Sequence, residues 1–171
     1  YFIGGNVQDE TALRIFEDHG WTLPAKHARQ LGLHWEDLYR LRDSGQLVEL
    51  ARGVYRPASA PAVEYVDLVA IAARAPIATA CLTTALSYWD LTDHIPHTNH
   101  VAVPRGTHRP KFDWPPVTVH VFGADTFDLA RQRITLPTGE TFHVFGAARS
   151  IADAVRLGRR SGTDAPASLI K

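Results

Sequence analysis

Methionine is missing from this chain of 171 residues, and cysteine occurs once, as Cys81 in an apolar run. A lone cysteine cannot close an intrachain disulfide, so a disulfide framework is excluded and a reducing compartment suits the chain. Cys81 reads as a buried, inert thiol. Without methionine Tyr1 is not a natural start, and both ends are expected to be trimmed. No apolar run approaches the roughly 18 residues of a membrane span, and no signal-peptide pattern opens the chain. A soluble, cytoplasmic protein without a membrane partner is expected. Net charge is lacking too, with 18 Lys and Arg against 18 Asp and Glu. No global field draws the chain to nucleic acid, so any such binding rests on local patches.

Catalytic patterns are also absent. The chain has no Walker loop, no nucleophile elbow and no zinc-protease helix. It has no Glu-x-Lys for a metal-dependent nuclease, and no Gly-Ser followed by paired aspartates that could hold magnesium for nucleotidyl transfer. Asp90 and Asp93 lie near a helix end, where a C-terminal turn explains them. His94, His97 and His100 sit three apart in DHIPHTNH. Pro96 denies them a helical face and no cysteine is near, so a polar loop before a strand accounts for them better than zinc does. The expectation is a non-enzyme with no cofactor and no metal.

What the chain does have is concentrated between Leu23 and Pro57. A short helix pattern containing Ala28 and Leu31 breaks at Gly32. A second follows, with Leu38 and Leu41 on its buried side, and Gly45 stops it. Two short β-like runs, Leu47–Leu50 and Val54–Arg56, flank a turn at Gly53. Helix, turn, helix and hairpin in that order predict a winged helix-turn-helix, whose second helix can enter the DNA major groove. Glu36, Tyr39, Arg40 and Asp43 point away from the Leu38/Leu41 side of that helix. The residues expected to face DNA are Lys26, His27, Arg29 and Gln30 on the first helix, Tyr39, Arg40 and Arg42 on the second, and Arg52 and Arg56 on the hairpin. Arg40 can fork onto a guanine edge or a phosphate, and Tyr39 can donate to a phosphate. Six Lys and Arg against four Asp and Glu between Thr22 and Pro57 make only a mild cationic excess. Glu36 and Asp43 repel phosphates, so a solvated helix that does not face DNA is the alternative.

Ahead of this stretch, Asp9 to His19 reads as a first helix with Asp9 as its N-cap. Behind it, Ala58 to Pro61 reads as a linker between a DNA-binding domain over residues 1–57 and an α+β domain over 62–171. Two alanine-rich helices are expected there, about 63–74 and 78–89, separated by Pro76. Strands are expected over 99–103, 117–122 and 141–145, with a possible short one over 133–136, and a last helix over about 150–160. The fold class is therefore α+β, an N-terminal winged helix-turn-helix plus a C-terminal domain of helices and a small sheet. Two basic clusters in the second part form a possible secondary patch. Arg105, Arg109 and Lys111 share a glycine-containing loop that could cradle phosphate, and Arg156, Arg159 and Arg160 share the last helix.

Three stretches taken in order resemble the AbiEi family of antitoxins. LRDSGQLVELARGVYRP (41–57) is similar to the family's Gly-x-Leu strand and Arg-Gly-Val-Tyr hairpin. ACLTTALSYWDLTDHIPHTNHVAVPRGTHRP (80–110) looks like its small-residue helix, Ile-Pro-His loop and Ala-Val-Pro-Arg-Gly strand end. FGAARSIADAVRLGRRSG (145–162) is similar to its strand leading into an Arg-x-x-x-Asp helix, where Arg149 and Asp153 match. The resemblance covers about residues 20 to 165. It implies the antitoxin of a type IV toxin–antitoxin system, whose N-terminal domain binds double-stranded operator DNA, with inverted repeats, and represses its own operon. The C-terminal domain would serve antitoxicity, and mycobacterial relatives act opposite nucleotidyltransferase toxins. The rivals are a protein-interaction antitoxin that does not bind DNA and, from another class, a nucleic-acid-processing enzyme using the 105–111 loop.

Overall fold

Leu38 and Leu41, expected on the buried side of one helix, have no accessible surface at all. They belong to helix α3 (Trp35–Asp43), which Asp37 caps by accepting from the His34 backbone N–H at 3.2 Å. Glu36 and Asp37 in its first turn and Arg40 and Arg42 in its last complement the helix dipole. The carboxylates thus have a local role in forming the helix. The computed structural model describes residues 7–161 and Ile170, and for residues 158–161 it describes the backbone alone. The fold is α+β, and the chain divides into two compact units, residues 1–74 with 135–141 and residues 75–134 with 142–171.

In the first unit α1 (Val7–Asp18) is followed by the two-residue strand β1 (Leu23–Pro24), α2 (Ala25–Gln30), α3, the hairpin β2 (Leu47–Ala51) and β3 (Val54–Pro57), and α4 (Val66–Arg74). The strands form an antiparallel sheet in the order β1-β3-β2. Its turn needs Gly53, which sits at φ +73°, a region open to glycine at little cost. The Gly53 N–H donates to Glu49 at 2.8 Å, and its carbonyl accepts from Ala25 N–H at 2.8 Å. Phe16 of α1, Ala28 of α2, Leu38 and Leu41 of α3, Leu47 and Tyr55 share one core. Asp9 lies inside α1 and is not its cap: it is buried, where it accepts from Arg40 and, at 3.4 Å, from Gln46. A cap faces water beside free N–H groups, whereas this carboxylate pairs with a residue 31 positions on.

In the second unit come β4 (Thr79–Ala80), α5 (Leu82–Tyr88), β5 (Asn99–Pro104), β6 (Val117–Phe122), a 3-10 turn at Ala124–Thr126, β7 (Arg131–Thr135), β8 (Thr141–Phe145) and α6 (Ala147–Ser161). The sheet order is β6-β5-β4-β8-β7, with β5 parallel to β6, β4 antiparallel to β5 and parallel to β8. The alanine-rich helices are shorter than expected: α4 begins at Val66, and α5 begins only at Leu82 because Thr79 and Ala80 leave the helical pattern to form the central strand. Both are buried, and small residues suit a strand that is covered on both sides. Phe122, Phe127, Phe145, Ala102 and Cys81 form the core, with burial pushing the Cys81 thiol up.

Candidate nucleic-acid interface

Helices α2 and α3 of the first unit carry a set of side chains open to solvent. Lys26, His27, Arg29 and Gln30 of α2 are exposed, as are Glu36, Tyr39, Arg40 and Asp43 of α3, while Arg42 is half-buried. Arg52 is exposed in the β2–β3 turn, where its carbonyl accepts from Arg74 at 2.7 Å. Eight of the nine residues expected to face DNA therefore reach the surface to some degree. The ninth, Arg56, does not. It is 8% exposed, donates to Glu140 at 2.9 Å and to the Pro61 carbonyl at 2.6 Å, and so cannot contact a ligand from outside. All four β3 residues are buried, which cancels the alternation that would have turned Arg56 outward.

The exposed cations are not equivalent. Arg40 donates to Asp9 and, at 2.9 Å, to Asp37. That hydrogen bond from Arg40, with the His34 N–H, holds the Asp37 carboxyl below the usual carboxylate range. Arg42 donates to Asp43 at 2.9 and 3.0 Å, and its guanidinium lies 4.9 Å from the centre of the Tyr39 ring. Tyr39 in turn stacks on Trp35, with centroids 5.8 Å apart and planes inclined by 19°, and the Arg29 guanidinium lies 5.0 Å from the centre of the Trp35 ring. Trp35 was not among the residues expected at the site. Its spacing of four from Tyr39 on one helix face was a visible signal.

The secondary patch is less uniform. Arg105, Arg109 and Lys111 are exposed in the β5–β6 connection, and Arg109 donates to the Val119 carbonyl of β6. Arg156 pairs with Asp153 at 3.1 Å. The side chains of Arg159 and Arg160 lie outside the described residues. Among the described residues no group of three or more His, Cys, Asp or Glu is placed to hold a metal. His100 instead faces His120 across β5 and β6, with Nδ1 3.0 Å from Nε2 and the rings stacked at 5.3 Å. Burial lowers both imidazoles, and His100 and Arg109 lower His120 further. Burial likewise lowers His143, with help from Arg131 and Arg133.

A pH dependence follows from these three histidines. Each binds protons less readily folded than unfolded, so stability is fully present above the unfolded value, about 6.5, and falls as the pH drops through the folded values. The thermal midpoint is expected to be flat from about pH 8 to 7 and to decline from there towards pH 5. A midpoint that rises over that interval would contradict it.

No helix among the described residues is long and apolar enough to cross a membrane. Residues 11–58, which include α2, α3 and the hairpin, match the model of a family described as transcriptional regulator, AbiEi antitoxin. No curated protein matches the chain.

Proposed function

Since residues 11–58 belong to the AbiEi antitoxin family of transcriptional regulators, we propose that the first unit is a winged helix-turn-helix that binds operator DNA and represses its own operon. In this reading α3 enters the major groove and the β2–β3 hairpin is the wing. The observation that carries it is the exposure of Lys26 and Arg29 on α2, of Tyr39 and, in part, Arg42 on α3, and of Arg52 at the hairpin turn. Guanidinium and ammonium groups so placed can contact phosphates on either side of a groove. The chain then acts as the antitoxin opposite a nucleotidyltransferase toxin, as the resemblance of its later segments implies.

Arg52→Ala is expected to weaken binding to the gene's own upstream DNA and to unrelated DNA by similar factors, and to lower the salt slope by about one. Gel shifts between about 0.05 and 0.2 M salt measure both. Wild-type protein that binds no duplex at the low-salt end would sink the operator reading.

A second reading has one observation in its favour. The Arg40 guanidinium is held by Asp9 and Asp37, which suits a face that meets a protein instead of DNA. A chain that neutralises its toxin without retarding DNA would establish that alternative. Co-expression with a neighbouring nucleotidyltransferase gene tests the toxin assignment.

A further inference from the structure

Granted the DNA-binding reading above, we propose that the base-reading group of α3 is the Trp35–Tyr39 ring pair, and that it selects DNA by the C5-methyl groups of thymine. Both rings are exposed, Trp35 at 41% and Tyr39 at 45%. They are nonetheless held in place, because they stack on each other, with the Arg29 guanidinium over Trp35 and the Arg42 guanidinium over Tyr39. Four long side chains ordered before docking lose little further freedom when a ligand arrives. The result is a rigid apolar surface bounded by two cations.

Position along the helix selects these rings. Trp35 is the first residue of α3 and Tyr39 lies one turn on, and the N-terminal residues of the second helix reach base edges in this docking geometry. The residue best suited by chemistry to read guanine, Arg40, is already engaged. Drawing it onto a base would strip the Asp9 carboxylate, whose side chain is only 12% exposed, of its charged partner. Glu36, exposed beside Trp35, carries only acceptors when ionised and so disfavours the acceptor pair that guanine presents in the major groove. The thymine methyl is the apolar feature of the major-groove edges, and aromatic side chains contact it. Arg29 beside Trp35 suits a flanking phosphate, whereas Arg42, held by Asp43, fixes the Tyr39 ring.

Trp, Tyr and Arg also dominate protein interfaces. In the helix-turn-helix and hairpin the exposed Lys26, Arg29, Arg40 and Arg52 outnumber the exposed Glu36, Asp43 and Glu49, and this small cationic excess favours a polyanion.

The test uses the gene's upstream DNA prepared twice, once with thymidine and once with deoxyuridine, which lacks only the methyl group. Wild-type protein is expected to bind the deoxyuridine duplex more weakly, by about four-fold for each methyl covered, the worth of one buried methyl-sized group. Trp35→Ala should bind the thymidine duplex weakly and cease to distinguish the two, with its melting temperature confirming that it folds. The wild-type comparison needs no variant. Equal wild-type binding to both duplexes overturns this inference and leaves the operator reading standing, whereas no binding to either removes both. Unchanged DNA binding by Trp35→Ala, with loss of toxin binding, would assign the face to a protein partner and also overturn it.

Discussion

Replacing Glu140 by alanine is expected to lower the stability of the first unit by about 3–5 kcal/mol, the usual cost of stripping one partner from a buried ion pair. The Glu140 side chain is 3% exposed and that of Arg56 is 9% exposed. Glu140 Oε1 accepts from Arg56 at 2.9 Å and from the Thr22 hydroxyl, and Oε2 accepts from Thr138 at 2.6 Å. Without the carboxylate, the Arg56 guanidinium keeps the Pro61 carbonyl but loses its counter-charge where water cannot replace it. Removing both charges should cost much less than the sum of the single changes, because the double variant Arg56→Leu/Glu140→Leu leaves no buried charge behind. Urea denaturation of wild type, Arg56→Leu, Glu140→Leu and the double variant completes the cycle. Single variants within about 1 kcal/mol of wild type, the range of a surface pair, would show that the pair is solvated. On the proposed operator reading, no loss of DNA affinity beyond the effect of unfolding is expected from Arg56→Leu, since the side chain is 8% exposed.

The second large effect is expected in the second unit, at Arg149. Its Nε donates to Asp153 at 3.2 Å, and Nη1 donates to the carbonyls of Thr126 at 2.6 Å, Phe127 at 3.2 Å and Leu129. The guanidinium lies 4.1 Å from the centre of the Phe145 ring, and the side chain is 11% exposed. One planar group thus holds the 3-10 turn and the residues after it against the start of α6. Arg149→Ala should cost about 3–5 kcal/mol, as for any buried pair broken from one side. Lysine should recover less than half of that, because an ammonium cannot serve a carboxylate and a row of carbonyls from one plane while stacking on a ring. Hydrogen exchange at residues 124–131 should accelerate in both variants while α3 amides stay protected. Wild-type stability in Arg149→Lys would show that charge alone matters there. The Arg-x-x-x-Asp spacing at Arg149 and Asp153 is on this account a device of the fold.

Local pattern was enough for much of this protein. The period that places Leu38 and Leu41 on one side of α3, the glycine that turns the β2–β3 hairpin, and the runs Val117–Phe122 and Thr141–Phe145 are all properties of neighbouring residues, and each is found where the pattern puts it. The α+β class and the exposure of Lys26, Arg29, Tyr39 and Arg52 follow from the same short-range rules. What tertiary structure alone decided are the pairings of charges and the strands without a pattern. Arg56 looks like a surface cation until Glu140, 84 residues away, comes to lie against it. Asp9 looks like a cap until Arg40 reaches it, and Arg40 looks free for a base until Asp9 and Asp37 hold it. Thr79 and Ala80 carry no alternation to read, because a strand of two small residues between two neighbours is defined by the strands beside it. The physical reason is range. Helix and turn preferences act over three or four residues along the chain, whereas desolvation and Coulomb attraction act on whatever folding brings near, and spacing along the sequence holds no record of that.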